Sequence, residues 1–309
     1  MLVLDQAKAL GINFVEGAAG GEATEEAAEP TAVVAAPRAV TSRDLPYPIA
    51  VFDAVVEAQV SPVLRVKTRR DGIEKALSFL VGLELSALRE ASHGARSPEV
   101  LALLRDVFGR PISMGTWVTL AWQLAARLPP GGDDAVTRAA RAFVTPEGRP
   151  SELALAVEAV VPDRNSFSHG VTASEESLAA DEAPLHALWR RITQALAPLA
   201  GCELVSRAGV LDLPDAAGVI PYQLRVHQGP SDRFPIVTRP LAAKLEARWC
   251  YLLRPGAAAL ALDPVVACEH DESAGSPTLF LARTLSFEAG ARVEAMAVAT
   301  MTKRKLAVP

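Results

Sequence analysis

The sequence predicts an α+β protein, with a helical bundle first and a smaller β-rich domain last. Between about 45 and 200, apolar residues recur at steps of three and four, the period of a helix with one buried face. After Gly201 the period becomes two: Tyr222, Leu224 and Val226 alternate with Gln223, Arg225 and His227, as on a strand with one face buried. Ahead of both, Gly17–Pro37 is so rich in Ala, Glu and Gly that it lacks the apolar surface to order itself. At 309 residues the chain is long enough for two domains. The expected divisions are a short segment 1–15, a disordered linker 16–44, a helical bundle 45–200 and a β-rich domain 201–309.

Each element has its own signal. The first fifteen residues, MLVLDQAKALGINFV, suit a short helix or strand, and act either as a docking segment or in no role. Ile73, Ala76/Leu77, Leu80, Glu84 and Leu88 make one stripe of a long helix. Ser97-Pro98-Glu99 is a start signal, with Ser as the cap and Pro in the first helical position, opening a helix through Leu101, Leu104 and Val107. A third helix over Gly115–Leu128 stops at Pro129-Pro130-Gly131-Gly132, and a fourth covers Asp134–Phe143. Ser151–Arg164 is the fifth. The last runs to about Leu199 and starts at Asp181, which puts Pro184 in its first turn. Trp249–Leu253, Ala259–Leu262 and Thr278–Leu281 are further strands between Pro, Gly, Ser and Asp turns.

Composition narrows the function. Half the residues are apolar and 22% are charged, an ordinary globular balance. A net charge of −5 argues against a protein that coats nucleic acid indiscriminately, and leaves room for a local basic groove. Cys202, Cys250 and Cys268 are widely spaced and odd in number, which fits reduced thiols in the cytoplasm and neither a disulfide frame nor a zinc site. Asp5 and Lys8, with no basic stretch ahead of an apolar core, give no secretory leader. The apolar stretch Ala76–Leu88 is too short for a bilayer and carries Glu84, so no membrane partner is expected. There is no Gly-rich phosphate loop, nucleophile elbow or metal-ligand spacing, so neither cofactor nor metal is implied.

The chemistry concentrates in Arg164-Asn165-Ser166-Phe167-Ser168-His169, followed by Gly170. Leu153, Val157 and Val160 form a stripe whose next position is Arg164, and a cation there needs a partner or a wet cleft. On an undistorted helix, five residues separate Arg164 and His169 by about 140°. They meet only if the helix ends near Gly170, or if two copies build the site across a two-fold axis. A histidine moves protons near neutral pH, and an arginine holds negative charge on a phosphate, so the pair suits RNA cleavage by the 2′-hydroxyl without metal.

An arginine, a polar neighbour, three residues and a histidine resembles the HEPN superfamily, small helical bundles of which many are metal-independent ribonucleases. The resemblance covers about residues 46–200. It implies a four- or five-helix homodimer with Arg164 and His169 catalytic, and Asn165 orienting the pair or binding substrate. Ser168, Arg190 and Arg191 join Asn165 as substrate-binding or orienting residues. HEPN domains of bacterial defence and toxin systems cut tRNA or other RNA, while others are inactive dimerisation or sensor parts, so both roles stay open. In either, the β-rich domain or residues 1–15 would meet a regulatory partner.

Other groups read as structural. Arg89-Glu90-Ala91-Ser92-His93-Gly94 looks similar, with one residue fewer between Arg and His, and fits a plain helix end. The basic runs Arg65–Arg70, Arg190-Arg191 and Lys303–Lys305 are expected on solvated faces. His186, one turn before Arg190, is a surface or packing histidine or a group supporting the site. Trp117 and Trp122 are expected in the core.

Overall fold

The computed structural model describes residues 40–92, 102, 106, 112–129, 132–161, 175–211, 213–271, 276–286, 292–299 and 303–307. The fold is α+β, helices first and antiparallel sheets after. A 3-10 turn at Ser42–Asp44 leads into α1 (Tyr47–Glu57), α2 (Pro62–Ala91), α3 (Met114–Ala125), α4 (Ala135–Arg141), α5 (Glu152–Glu158) and α6 (Glu175–Ala195). A second 3-10 turn, Ala197–Gly201, leads to nine strands among the described residues: β1 (Glu203–Val210), β2 (Ile220–Val226), β3 (Ile236–Leu241), β4 (Cys250–Leu253), β5 (Leu260–Ala261), β6 (Val266–Asp271), β7 (Ser276–Ser286), β8 (Arg292–Ala297) and β9 (Lys303–Ala307).

Capping chemistry starts the helices. Ser113, Asp134 and Ser151 each accept a backbone N–H at the N-termini of α3, α4 and α5. The 30-residue α2 is the central element, buried along most of its length between Val66 and Ser86. It approaches its neighbours closely at two glycines. A methyl group on Gly72 would lie 2.9 Å from Phe52 Cγ of α1, and one on Gly82 would lie 2.5 Å from Val265 Cγ1, just before β6.

The strands form a five-stranded sheet in the order β3-β2-β1-β4-β5 and a four-stranded sheet in the order β6-β7-β8-β9. Every pairing is antiparallel. A Trp249–Ala267 bridge links the two sheets. One continuous apolar core runs from Leu45 through the helices to Leu306, and residues 40–309 form one compact unit. No helix among the described residues is long and apolar enough to cross a membrane.

Several elements differ from the sequence expectation. The fifth helix ends at Glu158, with Ala159 as its cap, and does not run as one regular helix to Arg164. The last helix begins at Glu175, six residues earlier than Asp181, and carries Pro184 in its interior. Proline there removes one backbone hydrogen bond. Leu178, Leu185, Leu188, Trp189 and Ile192, all buried, hold the helix on both sides of it. The helix expected after Ser97 falls largely outside the described residues. Trp117 is buried and Trp122 half-buried, as a core pair would be.

Candidate functional site

The helical region gathers charged side chains where α1, the first turns of α2 and α6 meet. Arg65 and Arg69 stand four apart on α2, on one face, and Arg69 leads directly into the buried stripe of Ile73 and Leu77. On α6, Glu182, His186 and Arg190 also repeat at steps of four. Helix geometry alone thus aligns two rows of polar groups over a packed apolar seam.

Their contacts are specific. Arg65 grips Glu182 with two bonds, Nε to Oε1 at 2.6 Å and Nη2 to Oε2 at 3.1 Å. Its Nη1 donates to the carbonyls of Gln59 and Val60. Arg70 Nη2 donates to Asp181 Oδ2 at 2.9 Å. Trp189 Nε1 donates to Asp53 Oδ1 at 2.6 Å. Arg69 differs: it is only 9% exposed, and neither Nε nor Nη1 has a hydrogen-bond acceptor.

Electrostatics follow from this packing. Burial lowers the Arg69 guanidinium from its ordinary value, against the stabilising charges of Asp53 and Glu182. The bond from Arg65 holds the Glu182 carboxyl below the usual range. His186 is lowered by partial burial and then by the charges of Arg69 and Arg190, with Asp53 and Glu182 opposing. The imidazole therefore holds its proton less tightly than a free histidine.

The motif residues Arg164, Asn165, Ser168 and His169 lie outside the described residues. Arg190 and Arg191 are exposed on α6, the helix that follows the motif segment in the chain. The charges of Arg69 and Arg190 both disfavour a proton on His186. The basic run Arg65–Arg70 is not the solvated face expected: Arg69 and Arg70 are buried and Arg65 is half-buried. Comparison of the chain with family models, with curated proteins and with solved structures found no match.

Two other polar groupings are structural. Ser206 Oγ lies 2.8 Å from His227 Nε2, both buried, and Phe234 packs edge-on against the imidazole at 4.3 Å. Burial and the charge of Arg225 push His227 down to about 3, so it stays neutral and closed off from any substrate. The second is a cavity of about 160 Å³ beside the end of α2, lined in part by Leu128, Asp134, Thr137 and Arg254. Most of its polar groups are committed: Arg254 Nη2 bonds Glu90 at 2.7 Å, and Asp134 accepts from Val136 N, Thr137 N and Thr137 Oγ1, while Arg254 Nε has no partner. Among the described residues, no group of three or more His, Cys, Asp or Glu is placed to hold a metal ion.

Sequence reasoning missed Arg69, Asp53, Asp181 and Glu182. The signal for Arg69 was its position, one four-residue step ahead of Ile73 on the apolar stripe. The acidic partners carried no signal, because their pairing crosses more than a hundred residues of chain.

Proposed function

We propose that the protein is a metal-independent endoribonuclease of HEPN type, a cytoplasmic defence or toxin module acting as a homodimer. The observation that carries this reading is the Arg164–His169 spacing with Asn165 behind the arginine. It is supported by the surface of α6, which follows the motif in the chain and exposes His186, Arg190 and Arg191.

In this mechanism the RNA 2′-oxygen attacks the adjacent phosphorus while its proton leaves to a base. The bond from phosphorus to the 5′-oxygen breaks, and that oxygen takes a proton. The products are a 2′,3′-cyclic phosphate and a 5′-hydroxyl, with no redox change and no water consumed. His169 moves protons, and Arg164 holds the charge that builds on the non-bridging oxygens. Asn165, Ser168, Arg190 and Arg191 bind or orient the strand. Replacing His169 by Ala is expected to abolish cleavage of tRNA in EDTA while the circular-dichroism melt stays unchanged. Cleavage at the wild-type rate by that variant would overturn the proposal.

The charge balance favours a second reading. Asp53, Asp181 and Glu182 interleave with Arg65, Arg69 and Arg70, so the described cluster is close to neutral, and the chain carries −5 overall. A non-catalytic dimerisation or sensor protein, with its β-rich region binding a regulatory partner, fits that balance. Under it, Arg164→Ala would disturb assembly, seen by light scattering, and no preparation would cut RNA.

A further inference from the structure

We propose that the surface where the end of α3, the end of α4 and the turn at 144–150 meet is a docking face for a single-stranded nucleic acid. Arg127, Arg141 and Arg149 hold its phosphates, and Trp122 stacks a base. Nothing in this face draws on the Arg164–His169 motif.

Backbone contacts bring these residues together. Ala126 N donates to the Trp122 carbonyl at 3.1 Å, so the two stand one turn apart on one side of α3. A methyl group on Gly148 would lie 4.0 Å from Cβ of Ala126, which sets the turn that carries Arg149 against the end of α3. Leu128 joins Ala125, Ala140 and Val144 in a small apolar cluster. Arg127 thus stands in the chain between Ala126, which meets the turn, and Leu128, which meets α4. Val144 N donates to the Arg141 carbonyl at 3.3 Å. Thr145 then closes the turn, donating its N–H to the Arg149 carbonyl at 2.7 Å and accepting the Arg149 N–H on Oγ1 at 3.3 Å.

The charge of this face is unspent. Elsewhere arginines are matched: Arg65 with Glu182, Arg70 with Asp181, Arg89 with Asp263 and Arg254 with Glu90. Arg127, Arg141 and Arg149 are exposed and have no ion pair among the described residues. Of the acids near them in the chain, Asp133 lies 3.9 Å from Arg138 and Asp134 caps α4, while Glu147 and Glu152 pair with none of the three. Three free guanidinium forks on a chain of net charge −5 complement a polyanion, and phosphate oxygens match them in shape. The aromatic neighbour decides which polyanion. Trp117, Trp189 and Trp249 are buried, and of the four tryptophans only Trp122 is half-buried. An acidic peptide has no base to stack on an indole and a duplex hides its base faces, whereas a single strand offers phosphate and base together.

The test follows tryptophan fluorescence of the full chain in EDTA, with a 2′-O-methyl oligouridylate of about 12 nucleotides as the probe. Its blocked 2′-oxygen keeps the strand intact, so binding is read whether or not the protein cuts RNA. The expected result is a saturable quench that is absent in Trp122→Phe. Arg127→Gln, Arg141→Gln and Arg149→Gln combined should weaken binding on the order of tenfold or more. They should also lower the slope of log affinity against log salt by about 2, with the melting temperature unchanged. Arg149→Gln alone should weaken binding about threefold and serves if the triple variant fails to fold. No saturable quench in the wild type overturns the proposal, as does wild-type affinity in these arginine variants.

Further arms use an oligothymidylate and a polyglutamate peptide. A quench by oligothymidylate at lower concentration than the oligouridylate assigns the face to DNA, and one at higher concentration assigns it to RNA. An equal quench by polyglutamate assigns it to an acidic protein segment and overturns the proposal. Intact tRNA after incubation with wild-type protein would count against the ribonuclease reading alone.

Discussion

The two ends of α2 treat an arginine in opposite ways. Near the C-terminus, Arg89 Nη1 donates to the carbonyl of Asp263 at 2.6 Å and to its Oδ2 at 3.1 Å. Its Nη2 donates to the carbonyl of Ala261 at 2.7 Å and to Asp263 Oδ1 at 2.9 Å. Beside it, Arg254 bonds Glu90, so the helix end is fastened to the sheet region at two points. Near the N-terminus, Arg69 is more deeply buried than Arg89, yet two of its nitrogens bond nothing. A satisfied arginine explains itself as architecture. An unsatisfied one costs stability.

The largest effect expected from this contrast is at Arg89. Arg89→Ala leaves Asp263 without its partner and frees two carbonyls, and should lower stability by about 3 kcal/mol in urea denaturation. A loss below about 1 kcal/mol would show that the end of α2 is not fastened there.

How much of this was legible follows from what each residue resembles. Ile73, Leu77 and Leu80 announced α2 because a helix packed on one side must repeat them. Tyr222, Leu224 and Val226 announced β2, and their burial alternates as the pattern requires. In β1, by contrast, Leu204, Val205 and Ser206 are all buried, because the strand lies at the centre of its sheet and this half of it is covered on both faces. Alternation was therefore absent where the strand is most secure. Pro184 misplaced the start of α6, since a proline favours a first turn unless tertiary packing overrides it. Arg69 and Arg70 read as surface, because arginine is seldom buried, and only the fold brings Asp53, Asp181 and Glu182 around them. Arg164 and His169 were the reverse case, conspicuous in the sequence and resting on their spacing alone.

The next effect concerns a buried base in the β-rich region. His227 has a folded pKa near 3 against 6.5 for the free group. Between these values the unfolded chain holds the extra proton, so acid favours unfolding and stability rises with pH. From pH 6 down to pH 4 this one residue should remove about 2.5 kcal/mol, and His227→Gln should flatten that part of the stability profile. Glu84 works in the opposite sense. It is wholly buried in α2, neither carboxylate oxygen has a partner, and desolvation holds its carboxyl well above the ordinary value. Its contribution is complete below about 4.5 and is lost as pH rises, so Glu84→Gln should be the more stable protein at pH 7.

The smallest effect sharpens the contrast most. Arg69→Met should be neutral, or raise stability by about 1 kcal/mol, because it exchanges a buried cation with two unbonded nitrogens for an apolar side chain of similar length. A loss as large as that from Arg89→Ala would place Arg69 in the architecture.

The central functional claim is tested most directly by the chemistry of the fragment ends. Wild-type protein incubated with tRNA in EDTA should leave 2′,3′-cyclic phosphates and 5′-hydroxyls, and His169→Ala should leave the RNA intact. Fragments ending in 3′-hydroxyls and 5′-phosphates, or equal cutting by both proteins, would contradict it.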